Sequence, residues 1–266
     1  MPPPNLGAAP ATRRGTQSLE RAIGLLRELS TRLTGGWTLT ELATQCGLDR
    51  GTAHRMLDCL IREGLVIRQP LNRGYLLGPL AFELGLAASA RFDPRTACGP
   101  SLRLLVERSG ETAFLNLRSG RDTVCVDRSD GPQTLKALAV EIGARRSLVA
   151  SAAGVAILMA LPAAERRVLT QSSLAHLRRA DAAHRAGIGR MLRESEAAGY
   201  AVNRDHIIPG ITAIAVPIGD RDGRPVAALT LAGISQRLNE RRCGKLIGIL
   251  AAEAEKIAAR WSAQAS

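Results

Sequence analysis

One six-residue stretch of the chain concentrates side chains that donate hydrogen bonds and carry positive charge. It contains Arg50, Thr52, His54 and Arg55. Guanidinium, hydroxyl and imidazole groups suit a partner that is rich in acceptors or negatively charged. The chemistry that this stretch offers is therefore the binding of an anionic, acceptor-rich surface.

The residues before this stretch predict the helices that must position it. Apolar residues recur at helical spacing after Ser18, a suitable N-cap, and the pattern stops at Gly35 and Gly36. A second helix is predicted over residues 38–46, because Thr38 and Glu41 have the spacing of a capping box. Two helices thus precede the polar stretch.

A third helix is predicted to begin at the cap Asp49 and to carry the polar stretch in its first turns. Helix, turn and helix in this order place the start of the last helix against base edges and phosphates of DNA. Residues 65–68 and 75–77 are predicted to form two short strands around a turn that holds Arg73. The sequence therefore predicts a winged helix-turn-helix over residues 16–78.

Two alternatives remain at this point. A three-helix unit with a hairpin is also compatible with a structural or protein-binding module. Asp49 either caps the third helix or contacts DNA. The candidate DNA-binding residues come from the helix starts, the recognition helix and the wing: Ser18, Thr38, Thr40, Arg50, Thr52, His54, Arg55 and Arg73.

Size and charge fit this interpretation without locating a DNA site. A chain of 266 residues is expected to form two domains. The net charge of +12 favours a polyanionic partner, but the basic excess is spread along the whole chain. A non-specific, architectural nucleic-acid binder is thus the alternative to a sequence-specific one. Aromatic residues make up only 3% of the chain, which argues against stacking platforms for single strands.

Four blocks of the first domain resemble, in order and spacing, those of IclR-type (isocitrate lyase regulator) transcription factors. They are QSLERA at 17–22, LTELA at 39–43, TAHRML at 52–57 and GYLLGP at 74–79. The resemblance implies that Thr52, His54 and Arg55 lie on a DNA-recognition helix. Asp49 and Gly51 depart from the Pro and Ser that are frequent in the family.

The rest of the chain predicts a linker helix over residues 79–92 and a second domain over 93–266. The linker helix carries apolar residues on several sides, so it packs either on a second copy in a homodimer or within its own chain. Strands are expected on both sides of a helical block, which predicts an antiparallel sheet with helices, an α+β fold. The predicted strands are 112–118, 124–127, 134–140, 199–204, 212–218 and 225–232.

The resemblance extends into this domain, to about residue 250, and implies a GAF-like fold that binds a small organic effector. The helix predicted to begin at Ser151 starts with small residues, which leave its first backbone N–H groups accessible to an anion. Ser151 is equally suited to be only an N-cap. The candidate effector-binding residues are Leu138, Ser151, Ala152, Ala153, Gly154, Asn203, His206, Ile211, Ala213, Thr230 and Ala232.

The predicted effector pocket has apolar residues at several positions where IclR-type proteins often have polar ones. Val149 and Val155 stand where His and Lys are frequent, and Ala213 and Ala232 stand where some members have Cys and Ser. Fewer polar groups favour a weakly polar ligand, such as an aromatic or aliphatic carboxylate.

Other classes of function lack support in the sequence. It contains none of the hydrolase, metalloprotease or phosphate-loop motifs that indicate an enzyme, and no metal or cofactor is expected. Residues 1–15 are expected to form a disordered arm rather than a signal peptide, and no apolar run reaches the length of a membrane span. Five scattered cysteines predict buried, reduced thiols and a cytoplasmic protein. The expected assembly is a homodimer or a dimer of dimers on double-stranded operator DNA.

Overall fold

A computed structural model describes residues 16–32, 34–70, 73–89, 93–132, 140–177 and 182–264. The chain divides into two compact units, one ending at Asp93 and the other beginning at Pro94. The predicted arm, residues 134–139 of the predicted strand over 134–140, and the candidate residue Leu138 lie outside the described residues.

The first unit has the element order expected of a winged helix-turn-helix. A hydrophobic core of Leu25, Leu42, Leu57 and Tyr75 joins its three helices to the wing. The elements are α1 (Gln17–Leu29), α2 (Leu39–Cys46), α3 (Arg50–Arg62), β1 (Val66–Arg68), β2 (Tyr75–Leu77) and α4 (Pro79–Ser89).

Helix α1 differs from the prediction at both ends. Its N-cap is Thr16 rather than Ser18, and the α-helix ends at Leu29, well before the two glycines. The hydroxyls of Ser30 and Thr31 donate to the carbonyl oxygens of Arg27 and Glu28, at 2.7 and 2.8 Å. Such side-chain bonds compete with the helical ladder, which explains the early end.

The start of α2 and the turn before α3 follow the predicted local chemistry. The Thr38 hydroxyl accepts a hydrogen bond from the Glu41 N–H, and the Glu41 carboxylate accepts one from the Thr38 N–H at 2.9 Å, which completes the capping box. Gly47 takes a left-handed conformation with φ of 64°, which costs little without a Cβ. These two features set the angle at which α3 leaves α2.

The second unit is an antiparallel sheet of six strands in the order β5-β4-β3-β8-β7-β6. The fold is α+β, as predicted, but the strand β5 was not among the predicted strands. The elements are α5 (Pro94–Ser109), β3 (Thr112–Ser119), β4 (Asp122–Ser129), β5 (Arg145–Ser147), a 3-10 turn (Leu148–Ala150), α6 (Ala152–Ala160), α7 (Ala163–His176), α8 (Ala182–Ala198), β6 (Ala201–Arg204), β7 (Ile211–Gly219), β8 (Pro225–Ile234) and α9 (Glu240–Gln264).

The two faces of this sheet pack against different helices. The outer face, which includes Leu115, Leu229 and Leu231, forms one core with residues of α5 and α9. The inner face packs against α6 through small residues, Ala201, Ala215 and Ala228. Because side chains alternate along a strand, β6, β7 and β8 contribute residues to both cores. Small residues on the inner face let α6 approach the sheet closely.

A buried carboxylate ties the start of β3 to the segment after β8. Glu111 is only 1% exposed, and its oxygens accept hydrogen bonds from Arg237 at 3.1 and 2.7 Å. Arg242 lies 3.2 Å from the same carboxylate. A Cβ on Gly233 would lie 2.1 Å from Glu111 Oε2, so this position must be glycine for the carboxylate to fit.

We expect Glu111→Ala to lower the free energy of unfolding of the second unit by about 2 to 3 kcal/mol. The loss is less than for a fully buried pair because Arg237 and Arg242 are partly exposed and can turn toward water. Urea unfolding followed by circular dichroism measures it. The exposed Glu107→Ala on α5 is the matched control and should change little; an equal effect in both variants would contradict the role given to Glu111.

Candidate DNA-binding surface and effector site

The polar stretch of α3 lies at the exposed N-terminal end of that helix. Arg50, His54 and Arg55 are exposed and Thr52 is half-buried. Arg55 donates a hydrogen bond to the Thr52 hydroxyl at 3.2 Å, which orients its guanidinium along the same face. The structure therefore brings together four of the candidate DNA-binding residues on one surface.

One further contact on α3 was not expected from the sequence. His54 Nδ1 lies 3.0 Å from the carboxylate of Asp58, one helical turn later. Both side chains are about half exposed, so water screens the pair. The contact fixes one ring nitrogen of His54 and leaves Nε2 for a partner outside the helix.

Asp49 caps α3, which is one of the two roles left open for it. Its side chain accepts a hydrogen bond from the Thr52 N–H at 2.8 Å. Hydrogen bonds from Thr52 lower the pKa of Asp49 below its usual value. The carboxylate is therefore ionised at neutral pH, and it places a negative charge beside the positive groups of Arg50 and Arg55.

The other candidate DNA-binding residues lie at element ends. Ser18 and Thr40 are exposed in the first turns of α1 and α2. The Thr38 hydroxyl donates to Glu41 at 2.8 Å, so the capping box already uses it. Arg73 is exposed in the wing turn, with φ of 54°. Their roles as DNA contacts remain predictions.

The start of α6 has a tightly packed backbone. The Ser151 hydroxyl accepts a hydrogen bond from the Gly154 N–H at 3.1 Å, so Ser151 is an N-cap. A Cβ on Gly154 would lie 2.2 Å from the Leu148 carbonyl oxygen. Close packing thus requires glycine at position 154. The Gly154 N–H, which was one of the groups predicted to be open to an anion, already donates to the Ser151 hydroxyl. Ala152 and Ala153 are buried beside it.

Most other candidate effector residues are neighbours on the inner face of the sheet. Asn203 on β6 pairs with Ala213 on β7, and Ala213 pairs with Ala232 on β8. Ile211 packs in the same small cluster as Ala232, and Thr230 lies two residues before Ala232 and so on the same face. We call this set, together with the start of α6, the effector site.

Three further side chains line this region that sequence reasoning did not single out. Phe114 and Cys125 belong to the cluster with Ile211 and Ala232. The Asn116 amide donates a hydrogen bond to the Thr230 hydroxyl at 3.3 Å. Burial raises the pKa of the Cys125 thiol to about 11, so the thiol is neutral at physiological pH. Side chains alternate along a strand, so Phe114 and Asn116 lie on one face of β3. This alternation was the sequence signal that could have identified them.

His206 has a different partner from the one its candidate role implied. Its side-chain Nε2 lies 2.9 Å from a carboxylate oxygen of Glu194 on α8. Its backbone N–H donates a hydrogen bond to the side-chain oxygen of Asn203 at 3.2 Å. A Cβ on Gly187 would lie 2.2 Å from the His206 carbonyl oxygen, so α8 packs tightly on this loop. The structure shows a contact between His206 and α8; an effector contact remains a prediction.

Comparison with known proteins covers both units. Residues 18–70 match the IclR helix-turn-helix domain, and residues 87–259 match the C-terminal domain of bacterial IclR transcriptional regulators. This chain belongs to the IclR family of bacterial transcriptional regulators. Members of this family are regulators rather than enzymes, so the expectation of a non-enzyme is confirmed.

Relatives match this IclR-family chain over most of its length, in sequence or in structure. The regulator BhcR of Paracoccus denitrificans is 30% identical over 229 residues, which cover 86% of this chain and 81% of BhcR. An IclR-family regulator from Brucella abortus superposes with a TM-score of 0.74 at 24% identity, covering 93% and 94% of the two chains. An IclR homologue from Microbacterium hydrocarbonoxydans, complexed with 4-hydroxybenzoate, superposes with a TM-score of 0.63 at 21% identity. The match covers 92% of this chain and 99% of the homologue.

No helix among the described residues is both long and apolar enough to cross a membrane. Within the same residues, no group of three His, Cys, Asp or Glu side chains has the arrangement of a metal site. Cys59 is exposed on α3 and Cys46 is half-buried, which corrects the expectation that all five cysteines are buried.

Replacing Asp49 separates its cap from its charge. Asp49→Ser keeps an acceptor for the Thr52 N–H and removes a negative charge near DNA phosphates, so we expect unchanged stability and several-fold tighter binding at low salt. Asp49→Ala should cost about 1 kcal/mol of stability, because the cap is lost. Fluorescence anisotropy with a random-sequence DNA duplex measures the affinity. Weaker binding by Asp49→Ser would show instead that Asp49 contacts DNA.

Proposed function

We propose that this IclR-family regulator binds double-stranded operator DNA in a sequence-specific manner through α3 and the wing, residues 65–77. The observation that carries the proposal is the exposed polar face at the start of α3, formed by Arg50, Thr52, His54 and Arg55. Arginine side chains read guanine edges or phosphates from such a position. Arg73 is exposed in the turn of the adjacent wing, and its proposed role is to contact the phosphate backbone.

Exposed apolar residues of α4 support a homodimer. This helix has no buried residue, and Phe82, Leu84 and Leu86 are 69%, 55% and 54% exposed. Large apolar side chains gathered on one exposed helix mark an interaction surface. The occupant that we propose is α4 of a second copy, which gives a dimer, or a dimer of dimers, with two recognition helices about 34 Å apart along the duplex.

The effector that we propose is a weakly polar aromatic or aliphatic carboxylate bound at the effector site. Phe114, Ile211, Ala213 and Ala232 supply an apolar surface, and the Asn116–Thr230 pair supplies polar groups. One structural relative binds 4-hydroxybenzoate, which belongs to this chemical class. The bacterial cytoplasm, which holds the DNA, is the compartment in which we expect the protein to act.

Effector binding controls the protein by changing the spacing of the two recognition helices. A ligand shifts an equilibrium between two arrangements only by its difference in affinity for them. Operator DNA must then change the affinity for the effector by the same factor as the effector changes the affinity for DNA.

Selection of bound fragments from genomic DNA tests sequence-specific binding. We expect a few fragments with a near-palindromic site to be enriched and to stay bound in excess competitor DNA. A non-specific architectural binder would enrich no sequence and would lose all affinity steeply with salt. The genes beside the enriched sites then indicate the class of effector.

Arg55→Ala and Arg73→Ala should affect binding to the selected operator in different ways. If Arg55 reads a base, Arg55→Ala costs about 1 to 3 kcal/mol of binding free energy and relaxes the preference at one base pair. Arg73→Ala should weaken binding to all sequences alike, because a phosphate contact carries no sequence information. Titration against the operator and single-base variants measures both. Unchanged affinity in both variants would refute the proposed docking.

Phe82→Glu should dissociate the dimer, since it places a charge in an apolar interface. We expect sedimentation equilibrium to shift toward the monomer mass and operator affinity to fall. Glu83→Gln, at the next residue of the same helix, is the matched control and should remain dimeric. An unchanged mass for Phe82→Glu would exclude α4 as the dimer interface.

A further inference from the structure

The inner face of the sheet carries an arginine to which neither sequence nor family resemblance gave a role. We propose that Arg146 is the anchor that binds the carboxylate of the effector at the effector site. The inference rests on the proposed effector function and adds to it the residue that selects for the anionic group.

Strand register places Arg146 on the inner face. In the pairing of β5 with β4, Arg146 lies opposite Thr123 and Arg145 lies opposite Val124. Thr123 and Cys125 share one face of β4 because they are two residues apart, and both are buried. Cys125 belongs to the cluster that lines the effector site. Arg146 therefore projects toward the same side as that cluster.

The neighbouring Arg145 shows what a structural arginine does in this strand. It points to the opposite face, where its guanidinium lies 3.3 Å from the Asp122 carboxylate and 3.5 Å from the Ser119 carbonyl oxygen. Two arginines in succession along a strand necessarily face opposite sides. One member of the pair is thus held by an acid, and the other faces inward.

Arg146 has no counter-ion among the described residues. Within the described part of the chain, its guanidinium makes no hydrogen bond or ion pair, whereas Arg118 lies 2.7 Å from Glu165 and Arg128 lies 2.5 Å from Asp130. Burial lowers the pKa of Arg146 from its usual value, and among the described residues Cys125 is the ionisable side chain that acts on it. The Cys125 thiol is neutral, so it does not balance the charge.

A partly buried cation without a partner destabilises the ligand-free protein. The cost is recovered when an anion binds, because a guanidinium forms short, charge-assisted hydrogen bonds with a carboxylate. A single positive charge matches a monoanion, and the apolar surface around Phe114 and Ile211 matches an organic body attached to it. We therefore assign the effector to monocarboxylates rather than to phosphate esters, which carry up to two negative charges.

Thermal unfolding with matched pairs of ligands tests this assignment. Benzoate, 4-hydroxybenzoate and hexanoate are each compared with the corresponding amide at millimolar concentration, and phenyl phosphate is added as the competing anion. We expect at least one carboxylate to raise the melting temperature of the wild-type protein, and its amide to have no effect. No response to any carboxylate, or a response to phenyl phosphate alone, would overturn the proposal.

Variants at position 146 separate anion binding from folding. Arg146→Met should abolish the carboxylate response, and Arg146→Lys should retain part of it with affinity lowered at least about tenfold, because the bidentate geometry is lost. Without ligand, Arg146→Met should melt at or above the wild-type temperature, since an unpaired charge is removed. A clear drop in the ligand-free melting temperature, or a retained carboxylate response, would contradict the anchor role.

Two controls make failure of this inference distinguishable from failure of the proposed function. Arg224→Met, at an exposed position in the turn between β7 and β8, should keep the carboxylate response. Operator binding without ligand is measured for all variants, and Arg146→Met should bind DNA like the wild type. If the wild-type protein does not bind the operator, the proposed function is refuted. If the wild-type protein binds the operator but does not respond to any carboxylate, only the anchor role is refuted.

Discussion

The second unit depends on the antiparallel pairing of β3 with β8. This pairing joins residues 112–117 to residues 227–232, and the Asn116–Thr230 hydrogen bond that it brings together spans 114 residues of the chain. Both strands are central in the sheet, so their inner and outer faces are covered. The buried Glu111 carboxylate, one residue before β3, holds the segment after β8 through Arg237. A slip by one residue would exchange the two faces and destroy the effector site.

The DNA-binding unit is organised by local interactions instead. The capping box at Thr38, the left-handed Gly47 and the Asp49 cap each act within four residues along the chain. Together they fix where α2 ends and α3 begins, and the core around Leu57 and Tyr75 holds the result. Asp49 both caps α3 and alters the electrostatic field at the proposed DNA-binding face, because its carboxylate stays ionised there.

The effector site combines a rigid frame with few polar groups. The start of α6 is fixed by the Ser151 cap and by the contact between Gly154 and the Leu148 carbonyl, so its backbone has little freedom to adapt. Hydrophobic residues from four strands, β3, β4, β7 and β8, form a cluster on the inner face of the sheet. Specificity in such a site falls to a small number of polar side chains, which is why the orientation of one arginine matters.

Caps, turn glycines and hydrophobic periodicity act over a few residues, so the helices, the wing and the α+β class could be predicted from the sequence. The family was indicated by the resemblance of sequence blocks. Even locally the sequence prediction missed the end of α1, where Ser30 and Thr31 bond back to the helix. Tertiary structure alone decided which side chains meet across strands. It placed Phe114 and Cys125 together, turned His206 toward Glu194, and formed β5 from three polar residues without an apolar pattern. Strand register is set by pairing between distant segments, and no short pattern in the sequence encodes it.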